Sequence, residues 1–297
     1  MMTMTPDIKS YPLTTVIATL GRDSLVDAVE ALNRGTIVPD EILICIPANE
    51  FNRVSKLNFP NVKIITTDKK GQVSQRLVGF KNATHDTVMQ LDDDVCVGKY
   101  CIESLLKTLE DEGPLVAVAP CLLCMSTGDS AFKINEKSKL LAIYYLLING
   151  KAGFQPGTIG LSGVGFGVDP QAISTRIFNA EWLPGGCVMH KRENLVLADF
   201  YPFKGKAYNE DLIHSCLLRE RGCRLIVNSK AHCFVEKISS SSYGPLEFLN
   251  NLAFDYRASK YFVKLSSRSY VRMNFHFMAR ILSYFGKILI KWCSRPT

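Results

Sequence analysis

The 297-residue chain contains no run of eighteen or more uncharged apolar residues, so no stretch of it reads as a membrane-spanning helix. Its opening, Met1 to Pro12, lacks the apolar centre of a secretory signal, and a cytoplasmic location is the expectation. Only one CxxC occurs, Cys121-Leu122-Leu123-Cys124, with no second pair at zinc-finger spacing; its apolar interior argues for packing rather than for zinc or redox chemistry. The ten cysteines mostly sit in apolar patterns such as Ile44-Cys45-Ile46, as expected of reduced, buried thiols. The five glycines of 157–167 form neither a P-loop, there being no Gly-Lys-Ser/Thr, nor a dinucleotide fingerprint. That stretch reads either as a flexible loop or as a mobile flap.

Acid is scarce at one end. Residues 246–297 hold nine Lys/Arg and only two acids, Glu247 and Asp255, a difference equal to the net charge of +7 for the whole chain. The preceding 245 residues are therefore neutral and offer no extended basic groove, which argues against a nucleic-acid partner. Placed on one helix, Arg268, Arg272, His276, Arg280, Lys287 and Lys291 fall within about 140° of arc, opposite Ile281, Leu282, Phe285, Ile288, Leu289 and Trp292. The 268–292 segment reads as an interfacial helix with its basic face toward an anionic membrane surface, or as a helix packed on the body.

What is present in the body is a strand–helix alternation. Thr14 to Ala18, Glu41 to Ile46, Asn61 to Thr66, Thr87 to Leu91 and Leu115 to Ala119 read as strands, with Pro39 and Asp40 as a turn. Leu25, Ala28, Val29 and Leu32 give one apolar helix face, with Asp23 or Ser24 as its N-cap and Gly35 beyond its end. A second helix follows Gly71, a third spans Lys99 to Leu109, and Leu140 to Ile148 is a buried or interfacial helix. Asn209-Glu210-Asp211 precedes a helix with Leu212, Ile213, Cys216 and Leu217 on its apolar face, stopped by Gly222. Cys223 to Val227 and Ala231 to Val235 read as strands around His232. The expected fold class is α/β, with a mixed, mainly parallel sheet flanked by helices and amphipathic helices at the C-terminus.

The strand Val88-Met89-Gln90-Leu91 runs straight into Asp92-Asp93-Asp94. Three adjacent carboxylates repel one another, so the stretch is either an acidic turn or a site for a hard divalent cation at the open end of a strand. In parallel sheets ligands bind at that end, where Thr19, Arg22, Arg76 and the acidic triplet converge.

The ordered set resembles family 2 glycosyltransferases of the GT-A fold over roughly residues 12–235. It comprises Val16-Ile17-Ala18-Thr19 with Arg22, Pro39-Asp40-Glu41-Ile42-Leu43-Ile44, Gly71-Gln72-Val73-Ser74-Gln75-Arg76, Asp92-Asp93-Asp94, Gly185-Gly186 with Lys191-Arg192-Glu193, and Asn209-Glu210-Asp211. The resemblance implies an inverting, metal-dependent transfer of a sugar from a nucleotide-sugar donor to a saccharide acceptor, free or lipid-linked, in cell-envelope polysaccharide synthesis. It implies Asp94 and Asp92 as ligands of Mn²⁺ or Mg²⁺, with His232 as a further candidate. Thr19, Arg22, Arg76, Asp92 and Asp93 are implied on the donor, Asp211 as catalytic base, and Trp182, Gly185, Gly186 and Glu210 around the acceptor. Where many relatives end the second strand with an Asp that holds the nucleotide base, this chain has Ile44-Cys45-Ile46-Pro47-Ala48, so base recognition differs.

The expected organisation is a donor-binding half over 1–120, an acceptor-binding half over 121–240 and a basic helical segment over 241–297, peripheral on the inner face of the cytoplasmic membrane. Two other readings were weighed. A sugar nucleotidylyltransferase would need a glycine-rich, basic N-terminal loop that Thr19-Leu20-Gly21-Arg22 does not provide. A non-catalytic membrane-attached scaffold would be marked by loss of Asp94 or Asp211, and both are present.

Overall fold

The structure, a computed structural model, describes residues 9–133, 139–236 and 244–293, with side chains to 288. Lys291 and Trp292, placed above on the C-terminal helix, have side chains outside the described residues. The chain divides into two compact units, Met1–Lys133 with Gly167–Lys237, and Ile134–Phe166 with Ile238–Thr297. Residues 134–166 group with the C-terminal helices, and the chain returns to that unit at 238.

The first unit is built on a nine-stranded mixed sheet. Its first half comprises β1 (Lys9–Ala18), β2 (Ile37–Pro47), β3 (Val62–Thr67) and β4 (Thr87–Asp92), in the spatial order β3-β2-β1-β4 and parallel throughout. Helix α1 (Ser24–Asn33) makes the crossover between the parallel neighbours β1 and β2, α2 (Gln72–Asn82) returns the chain from β3 to β4, and α3 (Cys101–Glu112) follows later in the chain. The second half comprises β5 (Val95–Val97), β6 (Val116–Cys124), β7 (Ile177–Ala180), β8 (Cys187–Lys191) and β9 (Arg224–Val235). There β8 inserts antiparallel between β4 and β6, and β6 pairs parallel with β9. Helix α5 (Glu210–Glu220) precedes β9.

Alternation along the central strands buries both faces. Leu13, Ile17, Ile42, Ile44 and Ile46 pack in one cluster with Leu25, Val29 and Leu32 of α1 and with Ile102, Leu105 and Leu109 of α3. Val16, Leu43, Cys45 and Val88 face the other way, with Phe80 of α2. Each fully buried Leu or Ile stabilises the fold by roughly 1.5–3 kcal/mol, which is why neither face tolerates a register slip. The four-residue face of α1 is buried as its spacing predicts, but Asp23 makes no side-chain cap.

Three local expectations are corrected. Pro39 and Asp40 lie inside β2, not in a turn: the β1–β2 register shifts between Tyr11 and Thr14, and the irregularity accommodates a residue that has no N–H to donate. The two strands expected around His232 are one strand, β9, whose pairing with β6 shifts register just beyond Pro120 and Asn228. In α5 the buried face carries His214, Ser215 and Leu218, while Cys216 and Leu217 are only partly buried. The CxxC lies within β6, where both thiols are buried.

The second unit contains α4 (Lys139–Asn149), α6 (Pro245–Leu265) and α7 (Tyr270–Cys293). Phe248, Leu252, Val263, Met273 and Phe277 form its core, and Phe248 stacks on Tyr284 with centroids 3.8 Å apart. The glycine-rich segment belongs here through Phe166. It closes on itself through Phe166 N–H donating to Thr158 O, and Arg268 donates to the carbonyls of Ile159 and Gly160. Among the described residues no helix is long and apolar enough to cross a membrane.

Helix α2 approaches the sheet through Gly79, where a Cβ would stand 2.3 Å from Val16 Cγ1 and 2.8 Å from Cys45 Sγ. Gly79→Ala is therefore expected to destabilise the protein by about 1–3 kcal/mol through overpacking, measured as a lower urea midpoint at unchanged m-value. A neutral or stabilising result would show that α2 is free to move outward.

Candidate active site

The β1 register sets Ala18 beside Cys45 on β2 and beside Asp92 on β4, so the residues just beyond these strand ends share one edge. Thr19 follows Ala18, and its hydroxyl donates to Asp93 Oδ2 at 2.5 Å while accepting Gly21 N–H at 2.9 Å. Gln75 of α2 donates to the carbonyls of Thr19 and Cys45, both at 2.7 Å, and ties the first two strand ends together. No acid stands at the end of β2.

The three carboxylates of the triplet have different surroundings. Asp92 accepts from Gln72 Nε2 at 2.7 Å and from Arg76 Nη2, and its own N–H donates to Gly186 O at 2.9 Å. Asp93 is buried on Thr19, and burial pushes its carboxyl upward from the ordinary range. Asp94 is half exposed and lies 3.6 Å from the exposed Arg22. Burial and then the Asp92 charge push Asp94 upward, while Arg22 and Lys206 pull it back. Lys206, whose ammonium also sits 5.2 Å over the Tyr208 ring, is a cation at this edge that no motif announced.

Arg76 occupies the centre. Its side chain is 4 % exposed; Nη1 donates to Glu210 Oε1 at 2.6 Å, and Nη2 donates to Asp92 and, at 3.4 Å, to Gly185 O. The guanidinium expected on a diphosphate is thus turned to two protein carboxylates. A buried cation with two carboxylates, one of them equally buried, is held by charge-assisted, geometrically matched bonds. The pairing also lets Glu210, 5 % exposed, remain in the interior.

Gly185 and Gly186 run beside the end of β4, where Gln90 Nε2 donates to Gly185 O at 2.7 Å. A Cβ on Gly185 would stand 2.8 Å from Glu210 Oε1 and 3.3 Å from Asp211 Cβ, so bare backbone is what fits against the acid pair. Asn209 enters α5 in the left-handed region, at φ 57°, and the next two residues are the acids of the first helical turn. Their charges complement the helix N-terminus, and Asp211 Oδ1 accepts Leu212 N–H at 2.9 Å. Burial and then the neighbouring Glu210 push the Asp211 carboxyl up to about 7.

Two sequence expectations meet a different environment. Trp182, expected to line the acceptor, is 6 % exposed and packs edge-on against Phe132 with centroids 6.1 Å apart. Its turn is tied to α5 by Leu183 N–H donating to Ser215 Oγ at 3.0 Å. His232 holds its Nε2 3.1 Å from Ser229 O, three residues back in the same strand, rather than on the triplet. Among the described residues no three His, Cys, Asp or Glu side chains converge as a ready-made metal cage. The donor set nevertheless suits a hard cation: Asp94 is solvent-facing, Asp92 raises its proton affinity, and Mg²⁺ commonly takes one or two carboxylates with the rest of its shell from substrate phosphate and water.

Residues 47–161 match the family model described as Glycosyl transferase family 2. YwdF of Bacillus subtilis (strain 168), described as an uncharacterized glycosyltransferase, is 33% identical over 99 residues, which span 32% of this chain and 37% of that relative. GalNAc-T7, solved with UDP, GalNAc and Mn²⁺, shares 16% identity at a TM-score of 0.55, over 85% of this chain and 50% of that one. Identity this low is a likeness of fold, and the fold is that of GT-A glycosyltransferases. S. aureus TarS 1–349 aligns at a TM-score of 0.48 and 13% identity, over 84% of this chain and 65% of that one.

The segment that matches the family model contains Arg76 and Asp92–Asp94, whereas Thr19, Arg22, Gly185, Gly186, Glu210 and Asp211 lie outside it. The Arg76 pairs connect the two sets. Sequence reasoning missed Gln72, Gln90 and His214. A polar residue inside the apolar run Val88-Met89-Gln90-Leu91 was a legible signal for Gln90; His214 was concealed because histidine interrupts no hydrophobic pattern.

Arg76→Met is expected to cost about 3–5 kcal/mol, because it strands two carboxylates in a low-dielectric interior. Adding Glu210→Gln should recover part of that loss in urea unfolding. Equal stabilities for the single and double variants would show that the pair is not coupled.

Proposed function

We propose that this chain is an inverting, metal-dependent glycosyltransferase that moves a sugar from a nucleotide-sugar donor to a saccharide acceptor hydroxyl. The observation that supports this most is Asp211: a carboxyl held at about 7, against the bare backbone of Gly185, and linked through Glu210 and Arg76 to the acidic triplet. A general base works best with a pKa near the operating pH.

In this reading Asp211 takes the acceptor hydroxyl proton as that oxygen bonds to the donor C1. The C1–O bond to the diphosphate breaks on the opposite face, so one displacement inverts the anomeric configuration. Thr19, Arg22 and Asp93 lie at the donor edge, and the exposed Arg22 and Lys206 supply cations for the diphosphate. Asp94 and Asp92 would hold Mn²⁺ or Mg²⁺, which when bound offsets the charge on the leaving group. Arg76 acts through the carboxylates it pairs. Gly185 and Gly186 offer backbone to the acceptor, and Glu210, whose Oε1 is taken by Arg76, orients it indirectly.

A lipid-linked acceptor and a peripheral position on the cytoplasmic side of an envelope membrane form part of this proposal. The supporting surface differs from the one the helical wheel suggested. On α7 the basic stripe up to Arg280 points into its own unit, Lys287 being exposed: Arg272 donates to the carbonyls of Leu146 and Leu147 at the end of α4, Arg280 pairs with Asp255, and His276 meets Tyr144. Burial, and then Arg280, push His276 down to about 4, so it is neutral at physiological pH. Apart from Met273 and Phe277 in the core, apolar residues of α7 face out, with Met278, Leu282, Phe285 and Ile288 exposed, alongside Leu246, Leu249 and Phe254 of α6. Exposed Arg257, Lys260 and Lys264 of α6 supply the cations in their place. Large exposed apolar surface rimmed by cations fits the anionic headgroup boundary.

Three outcomes are expected. With a panel of nucleotide sugars and Mn²⁺, kcat should rise about tenfold per pH unit below a midpoint near 7 and then level off, because the base must be deprotonated. Asp211→Asn should lower kcat by about 10²-fold or more with donor affinity unchanged; near-normal turnover would refute the base assignment. Separately, the full chain should co-sediment with anionic vesicles, and Leu282→Asp with Phe285→Asp should weaken binding about tenfold or more. Equal binding by this variant would remove the interfacial role of α7.

A further inference from the structure

Four buried polar atoms behind the base have no protein partner: Arg76 Nε, Gln90 Oε1, Glu210 Oε2 and His214 Nε2. They come from three elements, α2, β4 and α5, yet all four side chains line one cavity of about 10 Å³. That volume is about what one water requires, and a buried water needs two to four polar partners.

The chemistry of the four atoms is as specific as the volume. Gln90 is fixed in orientation, because its Nε2 donates to Gly185 O; Oε1 is then an acceptor only. Glu210 gives Oε1 to Arg76 and keeps Oε2 as an acceptor. Arg76 Nε–H can only donate. Two acceptors and one donor leave one lone pair of a tetrahedral water to fill, and a protonated His214 Nε2 fills it. The ring of His214 is held for this by Phe200, stacked at 5.8 Å and 1°, and by the edge of His190 at 6.1 Å. Burial pushes His214 down to about 3, so the ring carries a single proton.

We propose that a single structural water occupies this cavity, donating to Gln90 Oε1 and Glu210 Oε2 and accepting from Arg76 Nε–H and His214 Nε2–H, and that Gln90 and His214 act through it as positioning residues for the acid pair Glu210–Asp211. Glu210 and His214 are one helical turn apart on the same face of α5, so the water fastens the first turn of that helix at two points. Leaving these four groups without partners would cost about 1–3 kcal/mol for each neutral group and more for the charged ones, which a fourfold-coordinated water offsets. The positioning role rests on the glycosyltransferase reading; the water and the tautomer do not.

The test therefore has two arms. In crystals of the full chain diffracting beyond about 1.8 Å, one isolated density peak is expected within hydrogen-bond distance of all four atoms, and ¹⁵N NMR of histidine-labelled protein should show His214 as the Nε2–H tautomer. An empty cavity where neighbouring waters are ordered, or an Nδ1–H tautomer, would overturn the water site whether or not the protein is an enzyme. In the kinetic arm, His214→Leu should lower kcat about tenfold or more with donor KM within about twofold, and His214→Gln, which retains an N–H, should recover most of that loss. A matched loss in both variants, or a loss confined to KM, would overturn the positioning role. If His214→Leu fails to fold, His214→Gln and Gln90→Leu are compared in its place, with the same split expected.

Discussion

One buried guanidinium joins three parts of the chain that lie far apart in the sequence. Arg76 sits on the second turn of α2, and its partners are Asp92 at the end of β4 and Glu210 at the start of α5, 134 residues further along the sequence. Each carboxylate would be costly in the interior by itself, and so would the cation. Their mutual pairing makes all three tolerable, and the same bonds set the distance between the acidic triplet and the first turn of α5. Gly185 then follows as a steric consequence, since the backbone must pass where Glu210 and Asp211 leave no room for a side chain.

This arrangement separates three adjacent aspartates that look equivalent in the sequence. Asp92 is drawn inward by Arg76 and Gln72, Asp93 is bound to Thr19, and Asp94 is left at the surface beside Arg22. Only the last combines solvent exposure with an exposed cation, Arg22, at its side. The gradient runs from a carboxylate that holds the architecture to one that meets solvent, over three residues. A chain turning out of a strand end produces such a gradient because successive side chains there leave the sheet at different depths.

In the second unit the same demand for buried partners reverses an amphipathic helix. Carbonyls at the end of α4 and the carboxylate of Asp255 need donors, and the arginines of α7 supply them. Leu282, Phe285 and Ile288 of α7 are then left to face outward with the exposed leucines of α4 and α6, while Met273 and Phe277 stay in the core. A helical wheel reports that two faces differ; it carries no information about which one the rest of the chain will use.

The sequence by itself determined the parallel half of the sheet, because strands buried on both faces must be apolar over most of their length and the helices between them must carry one apolar stripe. The face of α1, the glycine before α2 and the acidic strand end were legible on those grounds. Its order of motifs also pointed to the GT-A fold. The tertiary structure alone decided what each polar residue does. Arg76 pairs with carboxylates, Trp182 packs on Phe132, His232 turns to Ser229, and Pro39 lies within a strand because a register shift excuses its missing N–H. His214 entered the site only when α5 was set against α2 and β4. The physical reason is common to all of these: hydrophobic burial is a property of a residue and its periodicity, whereas a buried hydrogen bond or ion pair is defined by a partner that folding brings from a distant point in the chain.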